Sequence, residues 1–300
     1  MGYVLLLLAT LAWSFVGILV KTASTMVDSS IITLSRFFFG VLFLILFLLW
    51  RDGRIVIRVG MKWIWLGAIG KSLNYLLENL ALSIGYAYGN ILVMPAQTVT
   101  LLLAARFLFG EKVTAKGWTA AVLCLAGVLV IGWNGEPLGA LLQGGGLTTL
   151  LFTLAGMGAA VHVLSQRQLV KEMDNGNMNL SVFSLSTLIV ALPVPLQQPA
   201  FHGPVTVWAW GALVLLGLIT GLSFFWLAEA LKRVPFMAAA IVSNSSVLFS
   251  ILWSYLIFHE PITLYVVTGT LVFLAGFLLL NLPGRRQAPL PQTGKAVPGK

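Results

Sequence analysis

Four polar residues, Lys71, Asn74, Tyr75 and Glu78, interrupt an apolar run. They stand at i, i+3, i+4 and i+7, with Leu82 at i+11, so they fall on one face of a helix. An ammonium, an amide, a phenol and a carboxylate in a row could hold a zwitterion at both ends. Lys71 and Glu78 stand two helical turns apart, about 10 Å, too far to bond each other directly. The same groups could instead tie neighbouring helices together. His162 and Ser165 form a second polar pair, at i and i+3. A histidine titrates near neutral pH, so His162 could bind substrate or, with Glu78, carry a proton. Pro95 removes a backbone hydrogen bond inside a further apolar run, with Met94, Gln97 and Thr98 within a turn of it. Ser243, Asn244, Ser245 and Ser246 break another such run. Trp13, Phe224, Phe225 and Trp226 could wall a pocket for an apolar or aromatic group, Trp13 foremost.

No catalytic constellation accompanies these residues. The three histidines, His162, His202 and His259, lie in different segments, and there is no H-E-x-x-H or G-x-S-x-G. Asp28, Asp52 and Asp174 fall between apolar runs. A nucleophile with its base, or a metal cluster, is what an intramembrane enzyme needs. No enzyme activity, metal or cofactor is expected. The single Cys124 excludes an internal disulfide.

The elements that carry these residues follow from composition. The chain is 59% hydrophobic and 9% charged over 300 residues, against about 25% charged in soluble domains. Its mean hydropathy is +0.96. Such a chain cannot cover a surface in water, so its solvent is the lipid bilayer. With roughly 20 apolar residues per crossing, ten transmembrane helices are expected: 3–22, 30–50, 62–83, 86–109, 115–133, 147–168, 180–199, 205–231, 235–258 and 264–282. The first is read as a retained helix, since no basic stretch precedes it. Basic residues gather in alternate loops, among them Arg51, Arg54, Arg58, Lys62, Lys112, Lys116, Arg167, Lys171, Lys232 and Arg233. The positive-inside rule then puts both termini in the cytoplasm and the protein in the cytoplasmic membrane. The net charge of +9 is topology and implies no nucleic-acid partner.

Residues 73–132 lie without a gap on residues 222–281. Phe109, Glu111, Thr114 and Thr119 fall on Phe258, Glu260, Thr263 and Thr268, and Leu125-Ala126-Gly127 on Leu274-Ala275-Gly276. The chain thus reads as a five-helix repeat, 1–133, a connector, 134–146, a second repeat, 147–282, and a disordered cytoplasmic tail, 283–300. An odd number of spans per repeat inverts the second copy. Inverted repeats put a substrate site near the membrane midplane between the halves, and matched helix breaks point to it. Pro95 and Asn244 are the matched breaks and the expected hinges. Glu111 and Glu260 sit at turns, where a carboxylate can cap a helix. Lys21 and Arg36, near the outer ends of their spans, could pair with acids or close an outer gate.

These features resemble the drug/metabolite transporter superfamily, and within it the ten-helix EamA-type exporters. The resemblance runs through Leu11-Ala12-Trp13-Ser14, Lys21, Arg36-Phe37, Leu80-Ala81-Leu82, Pro95, Gly110-Glu111 and Leu125-Ala126-Gly127. It continues in Glu229-Ala230-Leu231, Phe258-His259-Glu260 and Leu274-Ala275-Gly276. Two positions depart from the pattern: Ser14 stands where a glycine is frequent, and Asn244 where a proline matching Pro95 is common. The resemblance implies an all-α integral membrane transporter that exports amino acids or related metabolites by alternating access. A nucleotide-sugar or sugar-phosphate exchanger on the same scaffold would want several basic groups at the midplane, where only Lys71 is expected.

Overall fold

A computed structural model of the chain describes residues 2–110, 113–135, 146–192, 201–231, 233–234, 242–243 and 245–281. Glu111, Lys112, Asn244, most of the connector and the tail lie outside the described residues. Every regular element within them is a helix: α1 Gly2–Ser14, α2 Val16–Ala23, α3 Ser29–Asp52, α4 Lys62–Ile84, a 3-10 helix Ala87–Leu92, α5 Val93–Phe107 and α6 Ala115–Trp133. The chain continues through α7 Gly146–Leu169, α8 Asn175–Ala191, α9 Val207–Leu231, α10 Ser246–Phe258 and α11 Leu264–Asn281. The one extended pairing among the described residues is an isolated bridge from Val27 to Phe201.

Among the described residues, six stretches are long and apolar enough to cross a membrane: Gly2–Ala23, Ser29–Asp52, Ala87–Phe107, Ala115–Trp133, Gly146–Leu169 and Val207–Leu227. The α4 helix is as long, at 23 residues, but Lys71, Asn74, Glu78 and Asn79 lower its mean hydropathy. The distribution of polarity is inverted relative to a soluble domain. Trp50, Phe107, Leu192 and Trp208 are exposed, whereas Arg36, Lys71, Asn74, Glu78, Asn79 and His162 are buried. Lipid accepts the first set; the second needs partners inside the bundle.

Local rules account for several helix ends. Gly53 terminates α3 with φ 67°, in the left-handed region that favours glycine. Asp174 caps α8 by accepting the backbone N–H groups of Gly176 at 3.0 Å and Asn177 at 3.1 Å. Thr114 caps α6 through the Gly117 N–H.

Three segments differ from the expected spans. The first is broken at Phe15 into α1 and α2. The Ser14 hydroxyl donates to Leu11 O at 2.7 Å, and Ser14 O accepts from the Ser250 hydroxyl of α10 at 3.2 Å. A side chain inserted into the ladder in this way breaks a helix. The fourth begins as the 3-10 helix, so Pro95 is the third residue of α5 rather than a mid-helix kink. In that first turn its missing N–H costs no hydrogen bond. The seventh starts at Asn175, five residues before the expected span, because Asp174 supplies the cap.

The helices pack against the polar face of α4 and leave Trp65, Ile69, Leu73 and Leu80 on its other face exposed. It lies against α7, α8 and α3, while α3 also packs on α9 and α8, α9 on α1 and α2, and α6 on α11. The α4–α7 crossing is close because both sides lack a Cβ. One on Gly70 would meet Gly158 O at 2.8 Å, and one on Gly158 would meet Gly70 O at 2.7 Å.

Candidate functional site

The polar face of α4 turns inward. Asn74 is fixed first: its amide donates to Ala155 O of α7 at 3.2 Å, and its Oδ1 accepts the Lys71 ammonium at 3.1 Å. Lys71 Nζ then lies 4.1 Å from the Tyr75 ring centroid and 4.9 Å from that of Phe224, surroundings that suit a cation. The Tyr75 hydroxyl accepts from Thr220 of α9 at 3.5 Å, and its ring stacks on Phe37 at 5.1 Å.

Arg36 of α3 enters from the other side. Its guanidinium carbon lies 3.6 Å from the Tyr75 centroid. Its Nη1 donates to Asn79 Oδ1 at 2.8 Å and stands 4.0 Å from a Glu78 carboxylate oxygen. The Asn79 amide is spent on Thr33 Oγ1 at 2.8 Å. The Nε of Arg36 is buried without a partner. Two cations and one carboxylate therefore converge on a single tyrosine, shielded from solvent and lipid.

An aromatic wall adjoins them. Phe224 stands 5.7 Å from Trp13, 6.2 Å from Phe183 and 6.3 Å from His162. The Trp13 indole N–H donates to Ser223 Oγ at 2.8 Å, so the ring presents an apolar face. His162 Nδ1 lies 3.3 Å from Gly67 O, and its Nε2 is buried without a partner.

Of the residues expected from the sequence, Trp13, Asn74, Tyr75, Glu78 and His162 meet in this cluster, with Lys71 at its centre. Ser165 does not. Its hydroxyl donates to Trp63 O at 2.6 Å and joins α7 to the start of α4. Met94, Pro95 and Gln97 lie on α5, where Val93 O and Gln97 N line the crossing with α7 at Gly156. Ser243 and Ser246 are half-buried just before and at the start of α10; Asn244 between them is outside the described residues. Phe225 packs on Phe47 at 4.6 Å, beneath Arg51.

Sequence reasoning put Arg36 near a span's outer end and left its partners open; it is the eighth residue of α3, buried and turned towards α4, and Asn79, Thr33, Thr220 and Phe183 were missed. For Arg36 the signal was available: an arginine within a long apolar run is costly unless it faces the interior. Lys21 does meet an acid. It pairs with Glu260, which is buried and also accepts the Ser254 hydroxyl; its two carboxylate oxygens share the backbone N–H of Ala87, at 2.8 and 3.0 Å. Glu260 thus caps the 3-10 helix across the bundle.

A bundle of apolar helices around a buried polar cluster is the form of a multi-pass membrane carrier. The chain belongs to the EamA-like transporter family, within the drug/metabolite transporter superfamily: the family's sequence pattern matches residues 1–133 and 146–282. It is 25% identical over 281 residues to the pseudopaline exporter CntI of Pseudomonas aeruginosa, in strains UCBPP-PA14 and PAO1, covering 91% of this chain and 94% of each exporter. One solved crystal structure is similar with a TM-score of 0.65 at 18% identity, over 93% of this chain and 96% of that one. It shares the fold.

Proposed function

We propose that the protein is an alternating-access exporter that carries amino acids or closely related metabolites out across the cytoplasmic membrane, with both termini in the cytoplasm. The observation that carries this reading is the buried cluster of Lys71, Tyr75, Glu78 and Arg36 against an aromatic wall. Such groups in a bilayer mark a substrate path. Family membership supports transport rather than catalysis, and the related exporter of pseudopaline supports a metabolite as cargo.

The ten-span inverted repeat belongs to the same proposal. In the duplicated stretch Ala120 and Gly127 align with Gly269 and Gly276. A Cβ on Gly127 would meet Gly269 O at 2.7 Å, and one on Gly276 would meet Ala120 O at 2.9 Å. Phe109 and Phe258 are likewise aligned, and each lies beneath a cation, Arg167 at 5.5 Å and Lys21 at 5.4 Å. Packing is reciprocal as well: α4 lies on α7 as α9 lies on α1 and α2, and α3 on α9 as α8 on α4. These pairs are what a two-fold axis in the membrane plane would produce.

The sugar-phosphate reading gains from Arg36, a second basic group beside Lys71 at Tyr75. Glu78 beside Arg36 offsets that gain, since a phosphate dianion would face a carboxylate. The test is counterflow of radiolabelled amino acids into proteoliposomes, with sugar phosphates as the comparison. We expect amino-acid exchange that Glu78→Gln and His162→Ala reduce. Exchange of phosphorylated compounds alone would overturn the assignment.

A further inference from the structure

We propose that Arg36 and Lys71 form a receptor for one carboxylate of the substrate, so that the carrier selects compounds with a free carboxylate and only secondarily an amino group. The inference rests on the exporter reading above and narrows its substrate class.

Charge makes the first argument. Arg36 is always ionised, and its nearest acid, Glu78, stands 4.0 Å away. Lys71 has a neutral partner, the Asn74 amide, and two aromatic faces. With Lys71 as ammonium the cluster holds two positive charges and one negative, all buried. A buried charge without a counter-charge is costly, and an arriving carboxylate supplies the one that is missing.

Open valences make the second. The guanidinium has five N–H donors, and its buried Nε is unpartnered. An ammonium has three donors, of which the bond to Asn74 uses one. Both groups converge on one ring, at 3.6 and 4.1 Å from its centroid. A carboxylate beside Tyr75 could take a charge-assisted bond from each. Phe224, already beside Lys71, turns the body of the ligand towards Trp13 and His162.

The number of charges makes the third. One excess positive charge matches one carboxylate. The ammonium of an amino acid has Glu78 as its single acidic partner, and Glu78 is shared with Arg36. An acid without an amino group therefore keeps most of the recognition, and an amine without the acid loses it.

The experiment is ligand-dependent thermal stabilisation of the purified full-length protein in detergent micelles. The probes are L-phenylalanine, 3-phenylpropionate, L-phenylalaninamide and phenethylamine, with the matching indole series and glucose 6-phosphate. We expect both acids of a series to bind at least about tenfold more tightly than the amide and amine, the worth of one charge-assisted bond. Lys71→Gln and Arg36→Gln should erase that preference, while Lys71→Arg and Arg36→Lys, which keep the charge, should retain most of it. Equal binding of acid, amide and amine overturns the receptor, as does undiminished preference in both Lys71→Gln and Arg36→Gln. Binding of no acid in either series also overturns it. If 3-phenylpropionate binds and phenylalanine does not, the receptor stands and the amino-acid reading fails. If glucose 6-phosphate alone binds, both fail.

Discussion

Lys21 and Glu260, 239 residues apart in the chain, are joined by an ion pair. The lysine ends α2 and the glutamate follows α10, so the bond ties one half of the chain to the other. Glu260 holds the Ala87 N–H and the Ser254 hydroxyl as well, and Lys21 also donates to Gly85 O at 3.2 Å. On the proposed alternating-access cycle, with the proposed orientation, this contact would close the outer face and break when that face opens.

On that proposal Glu260→Gln should favour the outward-open form. With Cys124→Ala as background, a cysteine at buried Tyr88, next in the 3-10 helix, reports the opening. Its modification by a membrane-impermeant maleimide should be several-fold faster in Glu260→Gln. An unchanged rate would show that this contact does not gate access.

Gly70→Ala tests the α4–α7 crossing. The added methyl meets Gly158 O at 2.8 Å and His162 N at 2.9 Å, backbone atoms that cannot turn aside. Overpacking of this kind costs about 1–3 kcal/mol, so melting should fall by several degrees and transport with it. Gly211→Ala, with nothing within 4 Å, is the control and should melt as wild type.

Asn79→Leu removes the acceptor of Arg36 Nη1 and the donor to Thr33 without much change of volume. A buried charged donor left unpaired costs about 1–3 kcal/mol or more. We expect lower melting and loss of transport. Wild-type values in both assays would mean that Asn79 does not position Arg36.

The Asp174 cap gives a pH-dependent prediction. Partial burial pushes its carboxyl up, but hydrogen bonds from the Asn177 amide and from the Asn177 and Gly176 backbone outweigh this and hold it below the ordinary value. A lowered native pKa means stability that is present above the unfolded value, about pH 4, and is lost as pH falls through the native one. Asp174→Ala should cost about 0.5–1 kcal/mol at neutral pH, the lower part of the range for caps because the group is largely solvated. The gap in melting temperature from wild type should narrow as pH falls below about 4. A gap constant with pH would assign the cap's effect to shape rather than charge.

Much of this molecule is written locally. Apolar length predicts membrane helices because a bilayer core has a set thickness, and α3, α6 and α7 follow the expected spans within a few residues. The stripe from Lys71 to Glu78 is readable because helical periodicity alone puts it on one face. Glu260 was legible as a cap, though not as a cap on a helix 173 residues away.

What lay beyond the sequence depended on contacts between distant segments. The break at Phe15 comes from a hydroxyl of α10 on Ser14 O, and Ser14 also accepts the Trp253 indole N–H at 3.0 Å. Read along the chain, Ser14 is only a small residue in place of another. Arg36 was legible as a costly group in an apolar run, but its partners, Tyr75, Glu78 and Asn79, stand on another helix. By itself the sequence determined a lipid-solvated helical transporter with an inward polar face on α4, since composition and period act over one or two turns. Only the tertiary structure decided which groups meet at Tyr75, because the close α4–α7 crossing at Gly70 and Gly158, and the docking of α3 and α9, set their distances.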